Sequence, residues 1–351
     1  MNELGDIKTV ILPENVVNTS STPQRKPVRI IRKRRPKSPE TTATPPVSPM
    51  DESDAIKASV EENAEEDDVP TPIPPEKPVP TYLAKLNAHE RDQYITFDEG
   101  PHIYTVHGEQ GYTSVTTWNH MLFEAFNADA SIKKIVGTKK WRTDVNYEYY
   151  QKTAEQIKEI WDKNRDASST AGTNLHFNIE CFYNKIPVDN NSVEYKYFLE
   201  FVKDYPNLEA YRTEWCVYDE ESKLSGSIDM VFRDTNTGEF LIYDWKRCKE
   251  IPYESFGNKY SKVPCISHLP DSKFWHYSLQ LNTYRHILEK NYGMTISGMF
   301  LIRIHPDNPY ETYDRVEVHD LRKEVNDLFE YRKKLLAGEV THPYPIADTK
   351  H

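Results

Sequence analysis

The stretch from Ser225 to Lys246, SGSIDMVFRDTNTGEFLIYDWK, leaves the chain few ways to fold there. Ile228, Met230 and Phe232 alternate with Ser227, Asp229 and Val231, the period of a strand with two distinct faces. Asn236, Thr237 and Gly238 predict a tight turn, and Phe240 to Lys246 predicts the returning strand. A hairpin symmetric about Asn236-Thr237 sets Asp229 directly across from Asp244, with Lys246 two residues further along on the same face as Asp244. Facing carboxylates repel each other and gain little inside a sheet unless a cation lies between them. A lysine beside them is placed to orient or deprotonate a water. The pattern predicts a metal site suited to hydrolysis.

What surrounds this hairpin is decided by where the aromatic residues fall. Residues 1 to 80 contain no Phe, Tyr or Trp and hold 14 of the 24 prolines, so this arm cannot bury enough apolar surface to offset its ordering entropy. It is expected to be disordered, and residues 81 to 345 to form one folded domain. The arm carries a basic block, Arg25 to Lys37, followed by an acidic run from Asp51 to Asp68. The block reads as a nuclear localisation signal or a nonspecific DNA tether, and equally as a solvated charge cluster; the arm is also a candidate contact for a protein partner. Ser38, Thr44, Ser48 and Thr71 each precede a proline and are candidate phosphorylation sites, and Pro70 to Pro80 predicts an extended linker.

The formal net charge of -11 excludes a generally basic nucleic-acid-binding surface, so any such affinity must come from a local groove. The four cysteines (181, 216, 248 and 265) form no C-x-x-C pair and read as reduced thiols of an intracellular protein. No apolar run long enough for a membrane span and no signal peptide is present, so a soluble protein of the nucleus or cytoplasm is expected.

Along the folded part, Gln93 to Val106 predicts a hairpin turning at Glu99-Gly100, and Tyr112 to Thr117 leads into a helix over Trp118 to Phe126. Ser114 and Thr116 fit either a structural helix cap or a contact to a DNA phosphate. Tyr147 to Asn164 reads as a charged, exposed helix, and Gly172 to Tyr183 as a separate one with a buried stripe of Leu175, Ile179 and Phe182. His176 and Glu180, four apart, project together from an adjacent face of it. Glu214 lies in a strand over Glu209 to Tyr218, where it reads as an ion-pairing or supporting residue rather than a metal ligand. Ile251 to Ser272 reads as a long loop, a candidate wall of a substrate groove. Phe274 to Lys290 predicts an amphipathic helix carrying Gln280 and Tyr284, four apart. Strands over Ile296 to Ile304 and Asp314 to Val318 and a charged helix from Leu321 to Ala337 complete the domain.

The order His176, then Gly226-Ser-Ile-Asp229, then Asp244-Trp-Lys246, then Gln280-x-x-x-Tyr284 resembles the PD-(D/E)XK nuclease superfamily. It is most similar to the RecB-type branch that includes the mitochondrial genome maintenance exonuclease and relatives of phage lambda exonuclease. The resemblance covers about residues 93 to 320. It implies an α/β restriction-endonuclease-like core with a mixed central sheet of about five strands flanked by helices, and it admits a virus-encoded protein.

It further implies metal ligation by His176, Asp229, Asp244 and the Trp245 carbonyl, with Glu180 binding a second ion or orienting His176. Lys246 would position or activate water, and Gln280 and Tyr284 would brace the site and contact the DNA strand. Oxygen ligands suit Mg²⁺, and an imidazole extends tolerance to Mn²⁺. The cysteines lack the clustering of the iron-sulphur members of the branch, so no such cluster is expected. The implied function is metal-dependent DNA exonuclease action on ends or single strands in repair, recombination or replication. An endonuclease of the same superfamily and a catalytically inactive DNA-binding scaffold are the alternatives.

Overall fold

The computed structural model describes residues 78–344 and two three-residue strands, β1 (Lys8–Val10) and β2 (Ile30–Arg32). The rest of the expected arm, with its acidic run and candidate phosphorylation sites, lies outside the described residues. The domain opens with a short helix, α1 (Tyr82–Leu86), and a hairpin of β3 (Ile95–Asp98) and β4 (Ile103–Val106). It continues with β5 (Thr113–Ser114), α2 (Val115–Met121), α3 (Ala128–Gly137), α4 (Lys139–Thr143), α5 (Ala154–Tyr183) and α6 (Val193–Asp204). Three long strands follow, β6 (Leu208–Asp219), β7 (Leu224–Asp234) and β8 (Phe240–Lys246). The last elements are α7 (Lys273–Asn291), β9 (Ile296–Arg303), β10 (Asp314–Glu317) and α8 (Arg322–Leu336).

The result is a mixed α/β fold with a central sheet between helices. The sheet runs β1-β2-β10-β9-β8-β7-β5, with β6 pairing the other edge of β7. That makes eight strands instead of about five, because β5 and the two arm strands add to the strands legible in the chain. Tyr243 and Trp245 pack with Leu175, Ile179, Phe198 and Phe201 of α5 and α6 on one face. The alternating residues, Ile242 among them, face the core under α7, α8 and α2. Asp244 and Lys246 share that second face by the same alternation.

Helices α3, α4 and α6 are not legible in the sequence pattern, and the helix expected over 118–126 is α2, which ends at Met121. Two further helices differ in kind. Residues 154–183 form one continuous helix, where the sequence predicted two. Ser168, Ser169, Thr170 and Gly172 have weak helix propensity, but packing at both ends carries the helix through them. Ile157 and Trp161 join a satellite core with Ile132, Ile135 and Tyr149, whereas Leu175 and Ile179 join the main core. Residues 147–153 precede the helix as turns, and Thr153 with Gln156 closes a capping box at its start. The second difference is α7, which is not amphipathic: it is buried on all sides, polar Ser278, Asn282, Thr283 and Arg285 included.

One feature of the sheet positions the site. Along one edge β7 pairs with β6 over its whole length. On the other edge Met230 to Arg233 pair with β8, and Leu224 and Ser225 pair with β5. Gly226 to Asp229 lie between these two partners, in a fork where the ladder is interrupted.

Candidate functional site

The β7–β8 register pairs Met230 with Tyr243 and Phe232 with Leu241. Extended by one rung, it sets Asp229 opposite Asp244, as the turn at Asn236-Thr237 predicts. The backbone ladder ends one rung earlier, so the Trp245 N–H has no backbone partner on β7. It donates instead to Asp229 Oδ2 at 2.9 Å, and the Trp245 carbonyl accepts from His176 Nε2 at 2.8 Å. The fork therefore exposes both edge groups of Trp245 to the site. A carbonyl only accepts, so Nε2 carries a proton and Nδ1 faces the acids.

His176 Nδ1 stands 3.5 Å from Asp229 Oδ2 and 3.7 Å from Glu214 Oε1. Burial opposes charging this imidazole, but Asp229 and Glu214 outweigh it and hold its pKa at about 10. Glu214 is brought in by register: Thr213 pairs with Met230 and Trp215 with Ile228, so Glu214 comes opposite Asp229. Glu214, Asp229 and Asp244 thus lie abreast on three adjacent strands. Glu214 also has φ of 42° in mid-strand, a left-handed conformation that a glutamate adopts only when its surroundings impose it. Its Oε2 accepts a 2.9 Å hydrogen bond from Ser227.

The second half of the site lies on the α7 face. Lys246 Nζ is 3.1 Å from Asp244 Oδ2, 3.4 Å from Gln280 Oε1 and 4.3 Å from the centroid of the Tyr277 ring. Gln280 Nε2 donates to Thr116 Oγ1 at 3.3 Å, tying the start of α2 to the lysine. Asp244 is 3% exposed, and the Lys246 ammonium is the charged partner of its Oδ2. Burial, reinforced by the Asp229 charge, pushes its pKa up to about 7. Burial likewise raises Asp229, partly offset by His176. Glu180, one turn beyond His176 on α5, is pushed up to about 8 by burial and by Glu214 and Glu99.

These residues fit a divalent cation. One ligand atom each from His176, Glu214 and Asp229 lies within 4.8 Å of the others, and the Trp245 carbonyl borders the same imidazole. Such a set of imidazole and oxygen donors suits Mg²⁺ or Mn²⁺. Crowded buried acids with raised pKa values are the surroundings in which a bound cation would be stabilised.

The geometry redistributes several of the predicted roles. Glu214, read as a supporting residue, stands as close to His176 as Asp229 nearly does and is a candidate ligand in its own right. Asp244 is turned to Lys246 and lies outside the tightest cluster. Tyr284 is 3% exposed, so its ring has no face open to a DNA strand. It fills the fork, where a Cβ at Gly226 would come within 2.7 Å of its hydroxyl; only glycine leaves that room. Ser114 is a structural cap, its Oγ accepting from Thr117 N at 2.9 Å and donating to Thr117 Oγ1 at 2.8 Å. Thr116, the other predicted DNA contact, is the partner of Gln280. All four cysteines are free thiols.

A scan against protein-family models returns no match. No curated protein matches the chain either.

Proposed function

We propose that this protein is a metal-dependent deoxyribonuclease of the PD-(D/E)XK type, acting as an exonuclease. The observation that carries the reading is the fork at Gly226–Asp229, where side chains from α5, α7 and three adjacent strands come together. His176, Asp229 and Glu214 cluster there, and Asp244, Lys246 and Gln280 form a second, linked group. A divalent cation bound there supplies neutralisation of the scissile phosphate and a more acidic water. The chain's own part is positional. Gln280 and Asp244 hold the Lys246 ammonium at the edge of the acidic cluster, where it can aim a water at phosphorus and share the charge that develops. Because the His176 imidazole holds two protons in the metal-free protein, loading the site releases a proton, and metal affinity rises with pH through the neutral range.

The test is end-labelled single- and double-stranded DNA incubated with Mg²⁺, Mn²⁺ or a chelator, beside a closed circle and its linear form. Cleavage that needs the metal, starts from ends and vanishes in Asp229→Ala and Lys246→Ala is expected. Calorimetric Mn²⁺ binding should be lost in Asp229→Ala and retained in Lys246→Ala. Equal cutting by the parent and Asp229→Ala refutes the reading. Cutting of the closed circle moves it to an endonuclease. Metal-independent DNA binding without cleavage moves it to an inactive scaffold.

A further inference from the structure

Within the folded domain one surface is locally basic. Residues 128–143, which span α3 and α4, hold five basic residues and one acidic residue, in a protein of net charge -11. Lys133 and Lys134 on α3 are exposed, and Lys134 Nζ stands 6.0 Å from the centroid of the Phe256 ring. Phe256 is 37% exposed and Tyr260 is 50% exposed, both on the loop that follows β8. Lys259 and Lys262, on the same loop, are exposed as well.

The loop is built to hold these rings in place. Gly257 and Asn258 both take positive φ, 75° and 53°, which makes a tight reversal between Phe256 and Lys259. Tyr260 bridges to Pro270, and the Asp271 and Ser261 N–H groups donate to the carbonyls of Lys259 and Leu269. Ser261 Oγ donates to the Leu122 carbonyl at the end of α2, and the Tyr253 carbonyl accepts from Trp275 Nε1 of α7. Trp275 and Gln280 are five residues apart on α7, so the loop meets that helix about 8 Å along its axis from the site glutamine. Rings held outward by a fixed turn present area for stacking at little ordering cost, and the flanking ammonium groups match a phosphate backbone.

We propose that Phe256 and Tyr260, with Lys133, Lys134, Lys259 and Lys262, form a platform for single-stranded DNA that leads one strand toward the fork. The identity of the polymer rests on the nuclease reading above. Bases stack on the two rings, and the phosphates run past the lysines. A duplex keeps its base faces covered and gains only the charge term, so the platform selects unpaired strands.

The experiment measures fluorescence anisotropy of a labelled thymidine oligonucleotide with the full chain in chelator, beside the same label on a duplex. Parent, Phe256→Ala/Tyr260→Ala, Phe256→Trp/Tyr260→Trp and Lys133→Ala/Lys134→Ala are compared. The alanine pair of ring variants should weaken single-strand binding about tenfold or more and leave duplex binding unchanged. The tryptophan pair should restore it, and the lysine pair should flatten its salt dependence. Hydrolysis of bis(p-nitrophenyl) phosphate, too small to reach the platform, should be the same in parent and ring variants. Single-strand affinity unchanged in the alanine ring variant, or an equal loss for the duplex, overturns the platform. If bis(p-nitrophenyl) phosphate and DNA both go uncut while the ring-dependent affinity persists, the nuclease reading fails and the platform stands.

Discussion

Helices α5 and α7 flank the same sheet and each delivers a side chain to the same fork, yet they are held in opposite ways. Of the 30 residues of α5 five are buried, while of the 19 residues of α7 fourteen are. The first is a long lever fixed at two points, with His176 near the second. The other is a beam set into the core, carrying polar groups that are individually satisfied inside it. The lesson concerns where the site's precision resides. A side chain on α7 has no freedom that the core does not grant, so Gln280 and the lysine it holds are placed by packing. A side chain on α5 is placed by its partners, and His176 is held by the Trp245 carbonyl and two carboxylates.

If that contrast is right, the largest stability losses come from polar groups on α7. Asn282 is fully buried, donates to the Ser278 and His319 carbonyls, and accepts from Leu321 N and Arg285. Asn282→Ala strands these groups at once and should cost about 3 kcal/mol, measured by urea unfolding. A loss comparable to a surface substitution would remove the distinction between the helices. Next, Gly226→Ala pushes a methyl into the Tyr284 ring across the fork and should cost about 2 kcal/mol, with a smaller penalty in a Tyr284→Leu background. Independence of the two would show that α7 does not brace the fork.

The far end of α7 gives a smaller effect with a pH signature. Asp219 is 1% exposed and receives hydrogen bonds from Asn291 at 2.8 Å, Lys290 at 2.8 Å and Ser222. Burial alone would raise its pKa, but these donors outweigh burial and hold the folded value below the ordinary 3.8. The stabilisation is therefore fully present above that value and is lost as pH falls through the folded pKa. Asp219→Asn should cost about 1.5 kcal/mol at neutral pH, and the gap to the parent should close in acid. A gap that stays constant to pH 2 would contradict the assignment. The smallest change has the opposite sign. Gly172 lies inside α5 with nothing within 4 Å of a Cβ built on it, so Gly172→Ala should raise stability by about 0.5–1 kcal/mol, read from thermal melts. A loss would mean that α5 needs the bend or approach that only glycine allows.

How much of this was legible in the chain differs from residue to residue. The Asp229–Asp244 opposition was, because a hairpin's turn fixes its register and Asn236, Thr237 and Gly238 mark the turn. Glu214 was visible as a strand residue but not as a neighbour of Asp229. Its register passes through an irregularity between Ala210 and Arg212, which shifts every later pairing by one. The unbroken α5 was missed because local propensity fails at Ser168 to Gly172 while packing at the two ends does not. The depth of α7 was missed because its buried polar residues look, in sequence, like an exposed face.

The sequence by itself determined the α/β class and the bent ribbon with its facing acids and nearby lysine, since periodicity and turn chemistry act over a few residues; His176 entered the expected site only through the family resemblance. Only the tertiary structure decided that β7 parts from β8 at Asp229, that Glu214 comes abreast of it, and that Tyr284 seals the opening at Gly226. Those outcomes depend on which distant elements compete for one strand edge and one volume, and no local pattern encodes the result of that competition.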